Sequence, residues 1–175
     1  MRLTLRILSL LLVLSVTGTA LGASQRKVPA YEKYIKQYSS LAIQHQKKYR
    51  IPASITLAQG LLESGAGRSE LARKSNNHFG IKCHSDWRGG RVYHDDDLRG
   101  ECFRKYKNPE QSYEDHARFL VDRPRYASLF KLKITDYKGW ARGLQKCGYA
   151  TDRAYANRLI KLIEDYALYL YVTAK

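Results

Sequence analysis

Apolar positions recur every three or four residues from Tyr31 to Tyr49. Tyr31, Tyr34, Ile35, Tyr38, Leu41, Ala42, His45 and Tyr49 hold them, with Lys33, Lys36, Gln37 and Gln44 on the other face. That spacing predicts an amphipathic helix whose tyrosine stripe faces a core. Pro52 opens a second helix, where its missing N–H costs nothing. From Ile55 to Leu62 this helix is apolar almost all round, which predicts a central, buried position. It runs into Glu63-Ser64-Gly65-Ala66-Gly67, whose glycines can cap or turn the chain. A short helical piece, Arg68 to Lys74, follows.

The pattern changes between Asn76 and Phe103. Gly80, Gly89, Gly90 and Gly100 punctuate three short runs: Phe79 to Lys82, Arg91 to Tyr93, and Cys102-Phe103. This predicts a small, turn-rich β-hairpin lobe. Helical spacing then returns. Asn108-Pro109-Glu110-Gln111 combines a capping side chain, a proline at the first position and a glutamine at the third. That helix should continue to Pro124. Another should start near Thr135, and the last should run from Thr151 through Tyr155, Leu159, Ile163 and Tyr166 to Leu170. The expected fold class is mainly α: a helical bundle with one small β lobe inserted.

The start of the chain stands apart. Met1 to Arg6 is short and basic, Ile7 to Val16 is almost wholly apolar, and Thr17 to Ala23 is built largely of small residues. This is the order of a secretory signal peptide, and the apolar run is short for a bilayer span. An uncleaved anchor is the less favoured alternative. Residues 1–23 are expected to be the signal peptide, 24–30 a polar connector and 31–175 the functional domain. The mature chain then has no membrane span and works in the periplasm or at the extracellular wall.

Charge narrows the partners without choosing one. The 175 residues carry 31 Lys+Arg against 16 Asp+Glu, a formal charge of +15. Such an excess attracts polyanions, whether nucleic acid, anionic lipid or an acidic wall. The basic residues are scattered, with no arginine-rich stripe or zinc-finger spacing, so nucleic acid is not expected as a partner. His94 with Asp95-Asp96-Asp97, and His78 and His84, match no zinc or calcium template, so no metal or other cofactor is expected. His116 is read as a packing histidine.

Cys83, Cys102 and Cys147 allow three pairings, each leaving one thiol over. Cys83–Cys102 is favoured because the two flank one short segment of β character. Cys147 would then be a buried free thiol, a packed residue rather than a nucleophile.

Glu63 carries the most chemistry. It ends a buried apolar helix, where poor solvation and the negative end of the helix dipole both disfavour a charged carboxyl. A carboxyl that keeps its proton near neutrality can act as a general acid, as glycoside hydrolysis requires.

The string from Ile55 to Ala72 around Glu63 closely resembles the catalytic helix of glycoside hydrolase family 73, the β-N-acetylglucosaminidases of bacterial peptidoglycan remodelling. The resemblance continues in order through Asn76 to Lys82, Phe103 to Tyr106, Asp115-His116 with Phe119-Leu120, Arg125-Tyr126, and Gly148 to Asp152 with Tyr155-Ala156. It implies a lysozyme-like α fold with a glycan cleft between the helices and the β lobe. It makes Glu63 the catalytic acid, places Asn77, Phe79 and Gly80 on the cleft wall, and puts Tyr149 near the reacting sugar. Asn77 could hydrogen-bond sugar groups, and the rings of Phe79 and Tyr149 could meet sugar faces. Core packing for Phe79 and a hydrophobic staple for Tyr149 are the structural alternatives. Trp87 is a further candidate glycan contact, with packing inside the lobe as its alternative.

One departure stands out. Family members often carry a second Glu on the hairpin, where this chain has Tyr93-His94-Asp95-Asp96-Asp97. Asp96 is the preferred second catalytic group, with Asp95, Asp97 or the substrate's own acetamido group as alternatives. The expected activity is cleavage of the β-1,4 bond after N-acetylglucosamine in peptidoglycan strands by a monomer. A lytic transglycosylase and a non-catalytic cationic wall-binding protein are the alternatives.

Overall fold

The computed structural model describes residues 27–172 except 86 and 97. The expected signal peptide, the first part of the connector and Asp97 lie outside the described residues. The chain order is α1 (Pro29–Tyr49), α2 (Ala53–Ser64), α3 (Glu70–Ser75), β1 (Gly90–His94), β2 (Glu101–Lys105), α4 (Pro109–Val121), a 3-10 segment (Pro124–Lys131), α5 (Tyr137–Lys146), α6 (Tyr155–Asp165) and a second 3-10 segment (Leu168–Tyr171).

Helix α1 begins at Pro29, two residues inside the expected connector, because proline is well suited to a first turn. Its tyrosine stripe packs inward. Tyr34 and Tyr38 are buried, and the Tyr34 hydroxyl bonds both His78 Nδ1 and the Tyr113 hydroxyl. Helix α2 is the axis of the fold. Every residue from Ala53 to Leu61 is buried, with α1, α5, α6 and the last 3-10 segment against it. A helix that is apolar almost all round is stable only when wrapped on every side, and here it is. Trp140 of α5 and Tyr113 of α4 are among the largest side chains sealed in this core.

Helix α4 starts as its sequence demands. Asn108 Oδ1 accepts from Gln111 N, and Gln111 Oε1 accepts from Lys107 N. Asp136 caps α5 in the same way, accepting from Gly139 N.

The β lobe is one antiparallel hairpin, with Gly90 opposite Lys105 and His94 opposite Glu101. The run Phe79 to Lys82 adds only an isolated bridge, Lys82 to Phe103. Gly80 explains this: its φ of +60° breaks the extended conformation a strand needs. Cys83 and Cys102 are joined by a disulfide that ties this run to β2. Cys147, half-buried at the end of α5, is a free thiol.

Two helical expectations need correction. Helix α4 ends at Val121, short of Pro124, and the stretch from Pro124 to Lys131, for which no element is predicted, forms a 3-10 segment with Tyr126 and Leu129 buried. The last helix is shorter than its periodicity predicts. It starts at Tyr155, after a turn in which Asp152 accepts from Ala154 N, and it ends at Asp165. Ala167 then takes a left-handed φ of 50°, which turns the chain so that Leu168 enters the core.

Candidate active site

A cleft of about 500 Å³ lies between the helical body and the β lobe. The end of α2 contributes Leu62 and Glu63, the run after α3 contributes Phe79 and Gly80, the hairpin contributes His94 and Asp96, and the approach to α6 contributes Tyr149 and Tyr155.

Glu63 sits in the last turn of α2, where the buried helix emerges into the cleft. Gly65 ends the helix in the left-handed region, its N–H bonded to Leu61 O. Ser64 Oγ donates to Gly60 O and accepts from Gly67 N, stitching the turn down. The backbone that carries Glu63 is therefore held on both sides.

Burial pushes the Glu63 carboxyl up from its ordinary value near 4.5 to about 7. The Tyr155 hydroxyl, which donates to Glu63 Oε1 at 2.8 Å, pulls it back, as does the charge of Arg158, while Asp96 pushes it further up. Tyr149 stacks on Tyr155 with ring centroids 5.6 Å apart and planes at 20°. Burial drives both of these hydroxyls well above their ordinary values, so both are protonated donors at neutral pH.

The aspartates of the hairpin separate by position. Asp95 Oδ1 accepts from Gly100 N and closes the hairpin loop. Asp96 lines the cleft, its side chain 54% exposed, with Lys82 Nζ 3.6 Å from Oδ2. Lys82 also pairs with Glu101 at 2.8 Å. Thus Asp96 meets solvent and the cleft, whereas Asp95 is spent on the turn.

Phe79 has two contacts at once. It lines the cleft, yet it is only 3% exposed and lies flat on His116, with centroids 3.9 Å apart and planes at 13°. Gly80 leaves the wall open, because a Cβ there would meet nothing within 4 Å.

Two expected substrate contacts are placed elsewhere. Asn77 is 1% exposed and does not line the cleft. Its Nδ2 donates to Ile81 O and Arg104 O, and its Oδ1 accepts from Phe79 N and Ile81 N. Its bonding capacity is used up in holding the cleft wall to β2, so it has nothing left for a sugar. Trp87 lies outside the cleft. Its Nε1 donates to Gly90 O, the Arg104 guanidinium covers its ring at 4.6 Å, and Tyr106 meets it edge-on. The lobe-packing alternative for Trp87 is what the geometry displays.

Tyr155 and Arg158 are the site residues that sequence reasoning passed over. The only available signal was the Tyr155-Ala156 block, which carried no chemical role by itself. Among the described residues, no three of His, Cys, Asp and Glu are grouped so as to hold a metal ion, and no helix is long and apolar enough to cross a membrane.

A carboxyl whose pKa burial raises to about 7 and an exposed aspartate line one cleft between an α body and a β hairpin, the architecture of a lysozyme-like glycoside hydrolase domain. Residues 39–168 match the glucosaminidase family, described as mannosyl-glycoprotein endo-beta-N-acetylglucosaminidase, and the chain belongs to that family. The chain is 32% identical over 147 residues to the peptidoglycan hydrolase FlgJ of Vibrio parahaemolyticus, covering 78% of this chain and 47% of that protein. It is 38% identical over 136 residues to the exo-glucosaminidase LytG of Bacillus subtilis, covering 70% and 46% respectively. A peptidoglycan hydrolase from Sphingomonas sp. A1 superposes with a TM-score of 0.70 at 34% identity, covering 80% of this chain and 92% of that one. The chain thus spans about half the length of the relatives FlgJ and LytG.

Proposed function

We propose that the protein is an exported peptidoglycan hydrolase that cleaves the β-1,4 bond after N-acetylglucosamine. The observation that carries this reading is the Glu63 carboxyl, raised to about 7 by burial and lining a cleft that also holds Asp96. In this reading Glu63 gives its proton to the glycosidic oxygen as the bond to the anomeric carbon breaks. A water molecule attacks that carbon, and Asp96 takes the proton the water loses. The cleft's Tyr149 suits a sugar face, whereas the buried Phe79 ring packs on His116 and backs the cleft wall, and the net positive charge suits an acidic cell wall. FlgJ and the Sphingomonas protein, both named peptidoglycan hydrolases, support the substrate class, and LytG supports the sugar. Action outside the cytoplasm follows from that substrate and from the expected signal peptide.

The test is digestion of purified peptidoglycan by the protein and by Glu63→Gln, followed by borohydride reduction and mass spectrometry. Reduced N-acetylglucosamine ends that vanish with the variant are the expected result. Anhydro ends would make the protein a lytic transglycosylase. Binding without new ends would make it a wall-binding protein.

A further inference from the structure

Gln59 lies one helical turn before Glu63, so the two side chains leave the same face of α2. Both meet a single hydroxyl, that of Tyr155. Gln59 Nε2 donates to Tyr155 Oη at 2.9 Å, and Tyr155 Oη donates to Glu63 Oε1 at 2.8 Å. Behind them, His116 Nε2 lies 3.1 Å from Gln59 Oε1. Gln59 and His116 are wholly buried and Tyr155 is 2% exposed, so water does not compete for these bonds. The His116 ring is also held flat against Phe79.

Each bond in this chain has one sense. An amide oxygen only accepts, so His116 Nε2 carries a hydrogen. An amide nitrogen only donates, so the Tyr155 oxygen receives a hydrogen and aims its own at Glu63. The reversed chain would have the opposite consequence. With the Gln59 amide turned over, Tyr155 would donate to Gln59, and the Glu63 proton would be drawn to the Tyr155 oxygen instead of the cleft. The tautomer of His116 selects between the two. Burial holds this ring neutral by pushing its pKa down to about 3. Among the described residues its Nδ1 has no hydrogen-bond partner. An unpaired lone pair is tolerated in buried sites more often than an orphaned N–H, which favours the Nε2–H form.

We propose that His116 and Gln59 are positioning residues that set the direction of this chain. By making Tyr155 donate to Oε1, they leave the acidic proton of Glu63 on Oε2, which has no protein partner among the described residues, free for the glycosidic oxygen. The inference rests on the reading of Glu63 as the general acid. The same Tyr155 hydrogen bond then receives the carboxylate that forms when the proton leaves. Asp96, Arg158 and Tyr149 act electrostatically on this carboxyl, and Lys82, His84, His94, Arg125 and Asp152 line the same cleft.

Two measurements test the proposal. Nitrogen NMR of 15N-histidine protein, with His116 assigned from a His116→Asn variant, should show the neutral Nε2–H tautomer from pH 5 to 8. The Nδ1–H tautomer or an imidazolium would overturn the proposal, and this test on the unaltered protein needs no variant to be active. In kinetics, Gln59→Met and Tyr155→Phe should each lower kcat about tenfold or more with KM within about twofold. Both should move the alkaline limb of the rate profile to higher pH. The double variant should be no slower than Tyr155→Phe, because both changes break one chain. A Gln59→Met protein with unaltered kcat and unaltered limb would also overturn the proposal. Retained turnover by Glu63→Gln would instead remove the general-acid reading, whatever the tautomer of His116.

Discussion

Glu63 accepts a 2.8 Å hydrogen bond from Tyr155 and still keeps its proton to about pH 7. A donor to a carboxylate ordinarily lowers its pKa. Here burial at the end of α2 outweighs the donor. The hydrogen bond moderates the acid and fixes its orientation, while the burial keeps it an acid.

The raised carboxyl should be visible in stability as well as in rate. A folded-state pKa above the unfolded value means that the folded chain holds a proton the unfolded chain has lost. Stability therefore falls as pH rises from about 4.5 to about 7, and the full penalty, about 3 kcal/mol, is present above that window. Glu63→Gln does not titrate. The variant should gain on the parent by up to about 3 kcal/mol between pH 4 and pH 8 in denaturant titrations. A stability gap that does not change with pH would show that Glu63 titrates normally. In the same window, kcat should fall as pH rises through about 7, because the acid form is the active one.

Asp95 and Asp96 should differ sharply. Asp96→Asn is expected to lower kcat at least about 100-fold, since a positioned base contributes on that scale. Asp95→Asn keeps an oxygen that can accept from Gly100 N and should change kcat less than about threefold. If both variants stay near the parental rate, the first candidate is the substrate's own acetamido oxygen, which would attack the anomeric carbon as the glycosidic bond breaks, with water opening the cyclic intermediate afterwards.

The lobe is clamped to the helical body by Arg104 of β2 and Asp115 of α4. Arg104 Nη1 donates to both carboxylate oxygens at 3.0 Å, and the Tyr106 hydroxyl donates to Oδ2. Arg104 is only 6% exposed, so removing Asp115 takes a bidentate carboxylate from a buried charge. Asp115→Ala should cost about 3–5 kcal/mol in urea unfolding. A loss below about 1 kcal/mol would show that water replaces the carboxylate.

The disulfide should matter to the same lobe. Cys83 and Cys102 are separated by 19 residues, and closing a loop of that length contributes about 3 kcal/mol in the chain-entropy treatment. Non-reducing peptide mapping should recover the two in one cross-linked peptide, and the Cys83→Ser/Cys102→Ser pair should lose about that stability. A cross-linked peptide containing Cys147 would overturn the pairing.

Much of the fold was legible because it rests on local rules. The three-to-four spacing of Tyr34, Ile35 and Tyr38, the unbroken apolar face of α2 and the Asn108 cap all act within a few residues. Glu63 was legible for the same reason, as a carboxyl at the end of a helix that is apolar almost all round. What escaped depends on long-range packing. Tyr155 reaches Glu63 across 92 residues of sequence, and no local pattern marks that meeting. Asn77 is drawn inward because the left-handed Gly80 leaves backbone groups that its amide must satisfy. Trp87 turns away from the cleft because Arg104 offers its ring a cationic face. Strand alternation could not separate Asp95 from Asp96, because both lie beyond the last paired residue, His94.

The placement of Trp87 has a consequence for how the molecule can be watched. The chain has two tryptophans, one stacked in the hairpin lobe and one, Trp140, sealed in the helical core at 1% exposure. Indole emission is therefore a two-channel signal. Replacing Trp140 with Phe leaves a probe of the lobe alone, and replacing Trp87 with Phe leaves a probe of the core. Together they would tell a hinge-like opening of the cleft from melting of the body that carries its acid.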